Sequence, residues 1–468
     1  MSSLRKHLLA LVLLAGFPGS LRADPIDDYV NAEIARQQVP GLSLTVLRHG
    51  QIVRTQGYGL ANLEHSIPVH PDTLFKVGAV SMQFTAAGIM LLVEDDKIGL
   101  DDSIRKYLPD APKSWAPITI RQMLNHTSGL PATPNGDFRT EYSDAQLLGI
   151  MYKEKLNFAA GTRWRFSYAE YIALGLVVKR VTGEHYSEFL TKRLFRPLGM
   201  QTARQISDFD IVPNRAAGYE LREGKLRNAE WISATANSTA DGSLYLSALD
   251  YAAWNAAVVG RKLLKPESWA LIGQPAKIAS GRDYPYGFGW FLEKSGDRLA
   301  WRHSGNWQGF QSFVIRYPAD DLTVVALANG EGGDPDRIAR RVAAMLEPGL
   351  AQVSGAPIED REPQVTTRVK TLLAQIADGK TSQTDFAYFA KLDYTELMGV
   401  YQGTLSSLGP LQEIALVARK QLGDDQVYVY RARYERGVLD VTVGYTPGGK
   451  IGNLDIVPVE SWTAPVQQ

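Results

Sequence analysis

Pairs of a nucleophile and a base are the first chemistry to look for in a chain that has seven histidines and no cysteine. A serine followed three residues later by a lysine places a hydroxyl and an amine one helical turn apart, which suits nucleophilic catalysis. That spacing occurs at Ser3 and Lys6, in an apolar N-terminal stretch, and at Ser103 and Lys106, in a surface-like segment. We interpret both as coincidences. The histidine and carboxylate spacing fits no metal site, so we expect neither a metal nor a cofactor.

Five separated segments follow an order that is characteristic of one protein family. They are Gly57–Asn62, Ile104–Pro109, Leu124–Leu130, Tyr286–Trp290 and His303–Gly305. Chance agreement at five places is negligible, and over residues 25–348 the chain resembles the penicillin-binding protein and serine β-lactamase family. The resemblance implies an α+β fold in which an antiparallel sheet packs beside a helical region.

The resemblance also locates the residues that would carry the family's reaction. A nucleophilic serine and a lysine one turn later belong at Ala79 and Met82, and a Tyr-x-Asn loop belongs at Phe166 and Tyr168. Only the third motif, His303–Gly305, is intact. The replacements at Ala79, Met82 and Phe166 each keep roughly the size of the expected side chain and delete its hydroxyl or amine. The expected chemistry is therefore removed while the shape of the cleft is kept.

Loss of these groups predicts an inactive protein, a pseudoenzyme, because nucleophile, base and relay act as a unit. Ser81 lies about 200° around a helix from Ala79 and should point away from the cleft. The hydroxyl of Tyr168 could reach the vacated space, although filling it is the simpler role. Two alternatives remain: an active hydrolase with a non-standard nucleophile, and a structural role through the C-terminal tail.

Backbone donors persist whatever side chain a residue carries. The family's oxyanion hole corresponds here to the N–H groups of Ala79 and Asn306, so the cleft is expected to bind a carbonyl, carboxylate or peptide ligand. The expected ligand-binding set is Ala79, Tyr168, His303, Ser304, Gly305 and Asn306. Asn125 and His126 belong to a turn that the resemblance assigns a structural role.

Charge and the N-terminus limit the partners and the location. Fifty basic residues balance fifty acidic residues, and without a basic run we expect neither nucleic acid nor an anionic membrane as a partner. Residues 1–23 read as a signal peptide, with a basic start at Arg5 and Lys6 and a possible cleavage site after Ala23. A periplasmic or secreted location is therefore expected. We predict no transmembrane segment, and the sequence identifies no protein partner.

Periodicity predicts two domains. Residues 25–348 form the hydrolase-like domain, 349–363 a linker and 364–468 a small α+β domain of helices followed by four strands. That order of elements weakly resembles an NTF2-like or cystatin-like cone. Within the first domain, Tyr286–Phe291 is predicted to open a run of antiparallel strands.

Overall fold

The computed structural model describes residues 24–134, 136–295, 298–351, 356–387 and 391–459. The predicted signal peptide at 1–23 lies outside them. The helices are α1 Pro25–Arg36, α2 Met82–Glu94, α3 Ile120–Leu124, α4 Asp144–Lys153, α5 Tyr168–Thr182, α6 Tyr186–Leu190, α7 Ala248–Val259, α8 Pro266–Ile272, α9 Pro335–Leu346, α10 Pro363–Ala377 and α11 Lys391–Ser407. The strands are β1 Gly41–Arg48, β2 Gln51–Asn62, β3 Ile67–Pro68, β4 Phe75–Lys76, β5 Arg204–Gln205, β6 Tyr219–Arg222, β7 Lys225–Asn228, β8 Leu244–Leu246, β9 Ala276–Lys277, β10 Asp283–Tyr284, β11 Phe291–Ser295, β12 Arg298–Trp307, β13 Phe310–Tyr317, β14 Leu322–Ala328, β15 Leu411–Leu422, β16 Asp425–Tyr434, β17 Gly437–Tyr445 and β18 Ile451–Val459.

A seven-stranded antiparallel sheet divides the first domain into two cores. Its strand order is β11-β12-β13-β14-β1-β2-β3, so strands from both ends of the domain meet at β14 and β1. Successive side chains of a strand point to opposite faces. Val324 and Ala326 of β14 therefore pack with α1 and α9, whereas Val325 and Leu327 pack into the core of the helical region. The predicted α+β class and sheet arrangement are confirmed.

The helical region lies between β4 and β11 in the sequence and carries most of the site. Helix α5 ends just before Gly183, whose left-handed conformation terminates it, and α3 begins with a capping box in which Thr119 and Gln122 each bond the backbone of the other. Helix α2 follows a short 3₁₀ turn at Gly78–Ser81 and is buried over nearly its whole length. It therefore forms the central helix of the domain.

One strand prediction was wrong. Tyr286 makes only an isolated bridge to Phe291, and the strand itself, β11, begins at Phe291. The reason lies in the two glycines between them. A Cβ on Gly287 would come within 2.1 Å of the Ile272 carbonyl oxygen, and Gly289 has φ +74°. This segment is a tight turn pressed against neighbouring backbone rather than a pleated strand.

The C-terminal domain is a four-stranded antiparallel meander, β15 to β18, covered by α10 and α11. The sequence predicts this order, in which helices are followed by four strands. Its buried cluster draws only on residues from Val369 to Ile456, so it shares no member with the two cores of the first domain. No helix within the described ranges is long and apolar enough to cross a bilayer.

Candidate active-site cleft

The start of α2 lies directly beneath strand β12. Ala79 is 4% exposed, and Met82 is completely buried in the core of the helical region. A Cβ on Gly78 would come within 2.5 Å of the backbone N and O of Asn306, and one on Gly305 within 2.0 Å of the Val77 carbonyl oxygen. Glycine at both positions lets the two backbones touch. The Asn306 backbone therefore lies beside Ala79, as an oxyanion hole requires.

Aromatic rings occupy the place of the second motif. Phe166 is half-buried, and its ring lies edge-on to Tyr168 with centroids 5.0 Å apart. The Phe166 ring also lies 4.5 Å from the ring of His126 and 6.0 Å from that of His303. Phe166 thus separates Tyr168, at the N-terminus of α5, from a pair of buried histidines.

The two histidines are joined by a tyrosine, and a carbonyl group fixes the direction of their hydrogen bonds. His303 Nδ1 lies 2.7 Å from the Ser304 carbonyl oxygen, which only accepts, so Nδ1 carries the hydrogen. In the neutral ring Nε2 then accepts from the Tyr286 hydroxyl, at 3.1 Å. That hydroxyl accepts in turn from Nε2 of His126, at 3.2 Å. Nδ1 of His126 is left as an acceptor.

A buried carboxyl group completes this chain. The amide of Ser167 donates to Nδ1 of His126 at 3.3 Å, and Glu170 Oε2 contacts the same atom. Because Nδ1 accepts, Glu170 must donate to it and is therefore protonated. Its other oxygen, Oε1, accepts from the amide and hydroxyl of Ser128. We name Glu170, His126, Tyr286 and His303 the buried tetrad.

The electrostatics of the tetrad agree with neutral partners. Burial lowers the pKa of His303 to about 4 and holds the pKa of His126 well below its ordinary value. Burial also raises the pKa of Glu170 well above its ordinary value. Desolvation disfavours the charged form of each group, and no net charge is needed to satisfy the hydrogen bonds. His303 is 1% exposed and therefore acts inside the domain rather than as a cation at the cleft surface.

A cavity of about 190 Å³ opens beside these elements. Two of the residues that the sequence places in a ligand site, Tyr168 and Asn306, line it. Ser304 is exposed and Gly305 is buried on the same strand. The other lining residues that matter below are Phe138, Tyr142, Asp241 and Trp307.

Sequence reasoning missed three residues of this region: Glu170, Tyr286 and Asp241. Glu170 had a usable signal, because it is a lone acid near the start of an apolar helix. Tyr286 and Asp241 had none, since Tyr286 lies in a predicted strand and Asp241 adjoins a glycine in a segment without apolar periodicity. Among the described residues, no group of three or more His, Asp and Glu side chains could hold a metal ion.

Comparison with known proteins identifies the family to which this fold and cleft belong. The family model described as Beta-lactamase matches residues 26–347, more than half of the chain. The chain belongs to the beta-lactamase family. The resemblance inferred from its five segments is confirmed, and the family relationship covers the sheet, the helical region and the cleft.

Individual relatives are distant. "Penicillin-binding protein 4*" of Bacillus subtilis (strain 168) is 27% identical over 302 residues, which are 60% of this chain and 66% of that protein. "Protein flp" of Staphylococcus aureus (strain MW2) is 24% identical over a region that covers 65% of this chain and 62% of the length of that protein. The chain thus spans slightly less than two thirds of these relatives. The octameric penicillin-binding protein homologue from Pyrococcus abyssi has a similar fold, with a TM-score of 0.62 and 20% identity over 93% of this chain and 96% of that one.

Proposed function

We propose that this beta-lactamase family member is a pseudoenzyme, which binds a peptide, a cell-wall fragment or a small carbonyl or carboxylate ligand in its cleft without forming an acyl intermediate. The observation that carries the proposal is the state of the two chemical positions. Ala79 has no hydroxyl, and the thioether of Met82, sealed in the core, cannot take up a proton. The acylation route of the family has no starting group here.

Three of the hydroxyl groups in the cavity wall are already hydrogen-bonded to backbone groups. Thr239 donates to the Ala236 carbonyl oxygen at 3.2 Å, and Thr235 donates to the Tyr142 carbonyl oxygen at 3.1 Å. Ser233 accepts from the Ala236 amide at 3.2 Å. These hydroxyls serve as backbone caps, and the described lining of the cavity contains no lysine or histidine to activate them. This supports the inactive form over an active hydrolase with a non-standard nucleophile.

Binding is supported by what the cleft retains. The backbone contact between Gly78 and Asn306 needs no catalytic side chain and keeps the N–H groups of Ala79 and Asn306 as donors for a carbonyl oxygen. Tyr168 and Asn306 border an open cavity rather than a filled one. In this proposal His303 and the adjoining Ser304–Gly305 backbone hold β12 in position, and the ligand contacts Ala79, Tyr168 and Asn306.

Intact-mass spectrometry tests the absence of acylation. The full chain is incubated with benzylpenicillin and, separately, with a fluorophosphonate probe, and we expect an unchanged mass in both. A stoichiometric adduct with either reagent contradicts the proposal, and peptide mapping would then identify the nucleophile.

A periplasmic or secreted location, with residues 1–23 removed as a signal peptide, is part of the same proposal and is checked by N-terminal sequencing of the exported protein.

A further inference from the structure

The cavity beside the cleft contains a carboxyl group that the family's chemistry does not use. Asp241 lines the cavity and is only 5% exposed. The Thr239 hydroxyl and the backbone amide of Asp241 lie close enough to the carboxyl group to lower its pKa, but the Oδ1 atom is buried and has no hydrogen-bond partner among the described residues. A buried carboxylate oxygen without a partner is costly, so such groups normally have a donor or a cation beside them. The partner of Oδ1 is therefore to be sought in the ligand.

Charge in the cavity wall favours a cation. Asp137 and Glu331 line the same cavity as Asp241, and its described lining includes no lysine, arginine or histidine. Three acidic groups without a basic one make the cavity attractive to a positive ligand and repel a free carboxylate. Burial raises the pKa of Asp241 to about 6, so the carboxyl group is mostly ionised at neutral pH and gains from a cationic partner.

The remaining wall is suited to an apolar group. Rings of Phe138, Tyr142, Tyr168 and Trp307 surround the space. Aromatic faces attract both apolar groups and ammonium groups, the latter through the ring quadrupole. Phe138 is about half-exposed at 52%, so the wall that it contributes is accessible from solvent.

We propose that this cavity binds a ligand with a protonated primary amine attached to an apolar or aromatic group, and that Asp241 Oδ1 accepts a hydrogen bond from the ammonium. The inference rests on the proposed function, because it assigns a ligand class to the same cleft. Two sources share this chemistry: a free small amine, and the amino terminus of a short peptide. Both present one ammonium group beside an apolar side chain.

A series of probes that differ in charge tests the inference by calorimetry on the full chain at pH 7.5. The probes are phenethylamine, 2-phenylethanol and phenylacetate, which share a ring and carry a positive, neutral and negative group. We expect phenethylamine to bind about tenfold or more tightly than 2-phenylethanol, since both can donate a hydrogen bond to the carboxylate but only the ammonium adds the attraction of an opposite charge. Phenylacetate should bind more weakly than either.

Two variants test whether the preference for the amine depends on the charge of Asp241. Asp241→Asn keeps the size of the side chain and removes its charge, and it should reduce the affinity for phenethylamine to that for 2-phenylethanol. Asp96→Asn removes the same charge from an exposed position outside the cavity lining and should change the affinity less than about threefold, because exposed charges are screened. Circular dichroism and melting temperature confirm that both variants are folded.

Two peptide probes distinguish the sources of the amine. Phenylalanyl-alanine and its N-acetyl form differ only in the amino-terminal charge. Binding of the free peptide that acetylation abolishes assigns the site to an amino terminus, whereas binding of phenethylamine alone assigns it to a small amine. Equal affinity for phenethylamine and 2-phenylethanol, or an Asp241→Asn variant with unchanged amine affinity, overturns the inference and leaves the cleft as a binding site. Failure of the proposed function is seen separately, as a covalent adduct by mass spectrometry.

Discussion

At the scale of single residues, the buried polar side chains beside the cleft are mostly uncharged. The buried tetrad forms one chain of hydrogen bonds whose direction is fixed at the Ser304 carbonyl oxygen, and its two histidines and one carboxyl group are all uncharged. Asp241 is the exception, because its buried oxygen has no partner. His303, whose pKa is lowered, and Asp241, whose pKa is raised, therefore predict opposite dependences of stability on pH.

Replacing His303 tests the neutral tetrad. The pKa of His303 is about 4 in the folded protein, below its ordinary 6.5, so its contribution to the free energy of unfolding is complete above pH 6.5 and is lost as pH falls towards 4. The loss is roughly 1.4 kcal/mol for each pH unit in that window. Glu170, whose pKa is raised, acts in the opposite direction. We therefore expect His303→Gln to be less stable at pH 7.5 and to show a flatter decline between pH 6.5 and 4.

Urea unfolding at half-unit pH intervals measures this difference. His65→Gln, which replaces an exposed histidine, serves as the control and should follow the unmodified protein. If the His303→Gln curve stays parallel to that of the unmodified protein across the window, His303 is not held neutral by the fold.

Asp241→Asn should stabilise the ligand-free protein. Because burial raises the pKa of Asp241 from 3.8 to about 6, its favourable contribution is present below pH 3.8 and is lost as pH rises through 6. Removing the charge should raise the free energy of unfolding at pH 7.5 by up to roughly 3 kcal/mol. The gain should shrink as pH falls towards 4, which thermal melts at several pH values would record. A variant less stable than the unmodified protein at pH 7.5 would mean that the carboxylate is already satisfied.

At the scale of elements, close backbone contacts made possible by glycine hold the cleft together. Gly289 has φ +74°, and a Cβ there would come within 2.9 Å of the Gln83 amide nitrogen and the Met82 carbonyl oxygen at the start of α2. The turn that displaced the predicted strand thus supports the helix that carries the altered motif. A side chain at this position has to push against backbone, which cannot rotate away.

Alanine substitutions at two glycines distinguish the cost of a left-handed backbone conformation from the cost of a steric clash with neighbouring backbone. Gly281 also has a left-handed φ, +83°, but nothing lies within 4 Å of its added Cβ. Gly281→Ala should cost about 1–2 kcal/mol of stability, for the left-handed conformation alone. Gly289→Ala should cost clearly more, because the clash adds to the strain. Equal losses in chemical denaturation would show that the turn does not press on α2.

Local patterns predicted most of the elements but not their contacts. The two domains, and the order of helices followed by four strands in the second, follow from apolar periodicity and turn residues, which are local signals. The segment at Tyr286–Phe291 also looks like a strand, and only the backbone packed against Gly287 and Gly289 makes it a turn. The positions of Ala79, Met82, Phe166 and Tyr168 were found through the family pattern. Glu170 and Asp241 act through burial, which a sequence without partners does not reveal.

At the scale of the whole molecule, the first domain and the C-terminal domain have separate hydrophobic cores and contact each other through ion pairs. Arg163 pairs with Asp425 at 3.1 Å, and Arg282 with Asp424 at 3.0 Å. Arg163 lies three residues before Phe166, so the C-terminal domain contacts a segment that leads into the cleft. Partly exposed ion pairs of this kind contribute little to stability.

Truncation tests whether the domains are independent. A chain ending at residue 348 keeps the core of the helical region complete and loses only Leu350 from the second core, so we expect it to be soluble, folded by circular dichroism and cooperative in unfolding. The segment 356–468 keeps its own core and should fold alone. Aggregation of the shorter chain would mean that the C-terminal domain covers an apolar face and that the two form one folding unit.

Labelling of the reverted cleft tests the central claim most directly. The double variant Ala79→Ser plus Met82→Lys should fold, and adding Phe166→Tyr and Tyr168→Asn restores the full motif set, whose members act cooperatively. With a fluorophosphonate probe and intact-mass readout, we predict no adduct on the unmodified chain, slow and partial labelling of the double variant, and labelling of the fourfold variant on the peptide that contains position 79. Stoichiometric labelling of the unmodified chain would contradict the account.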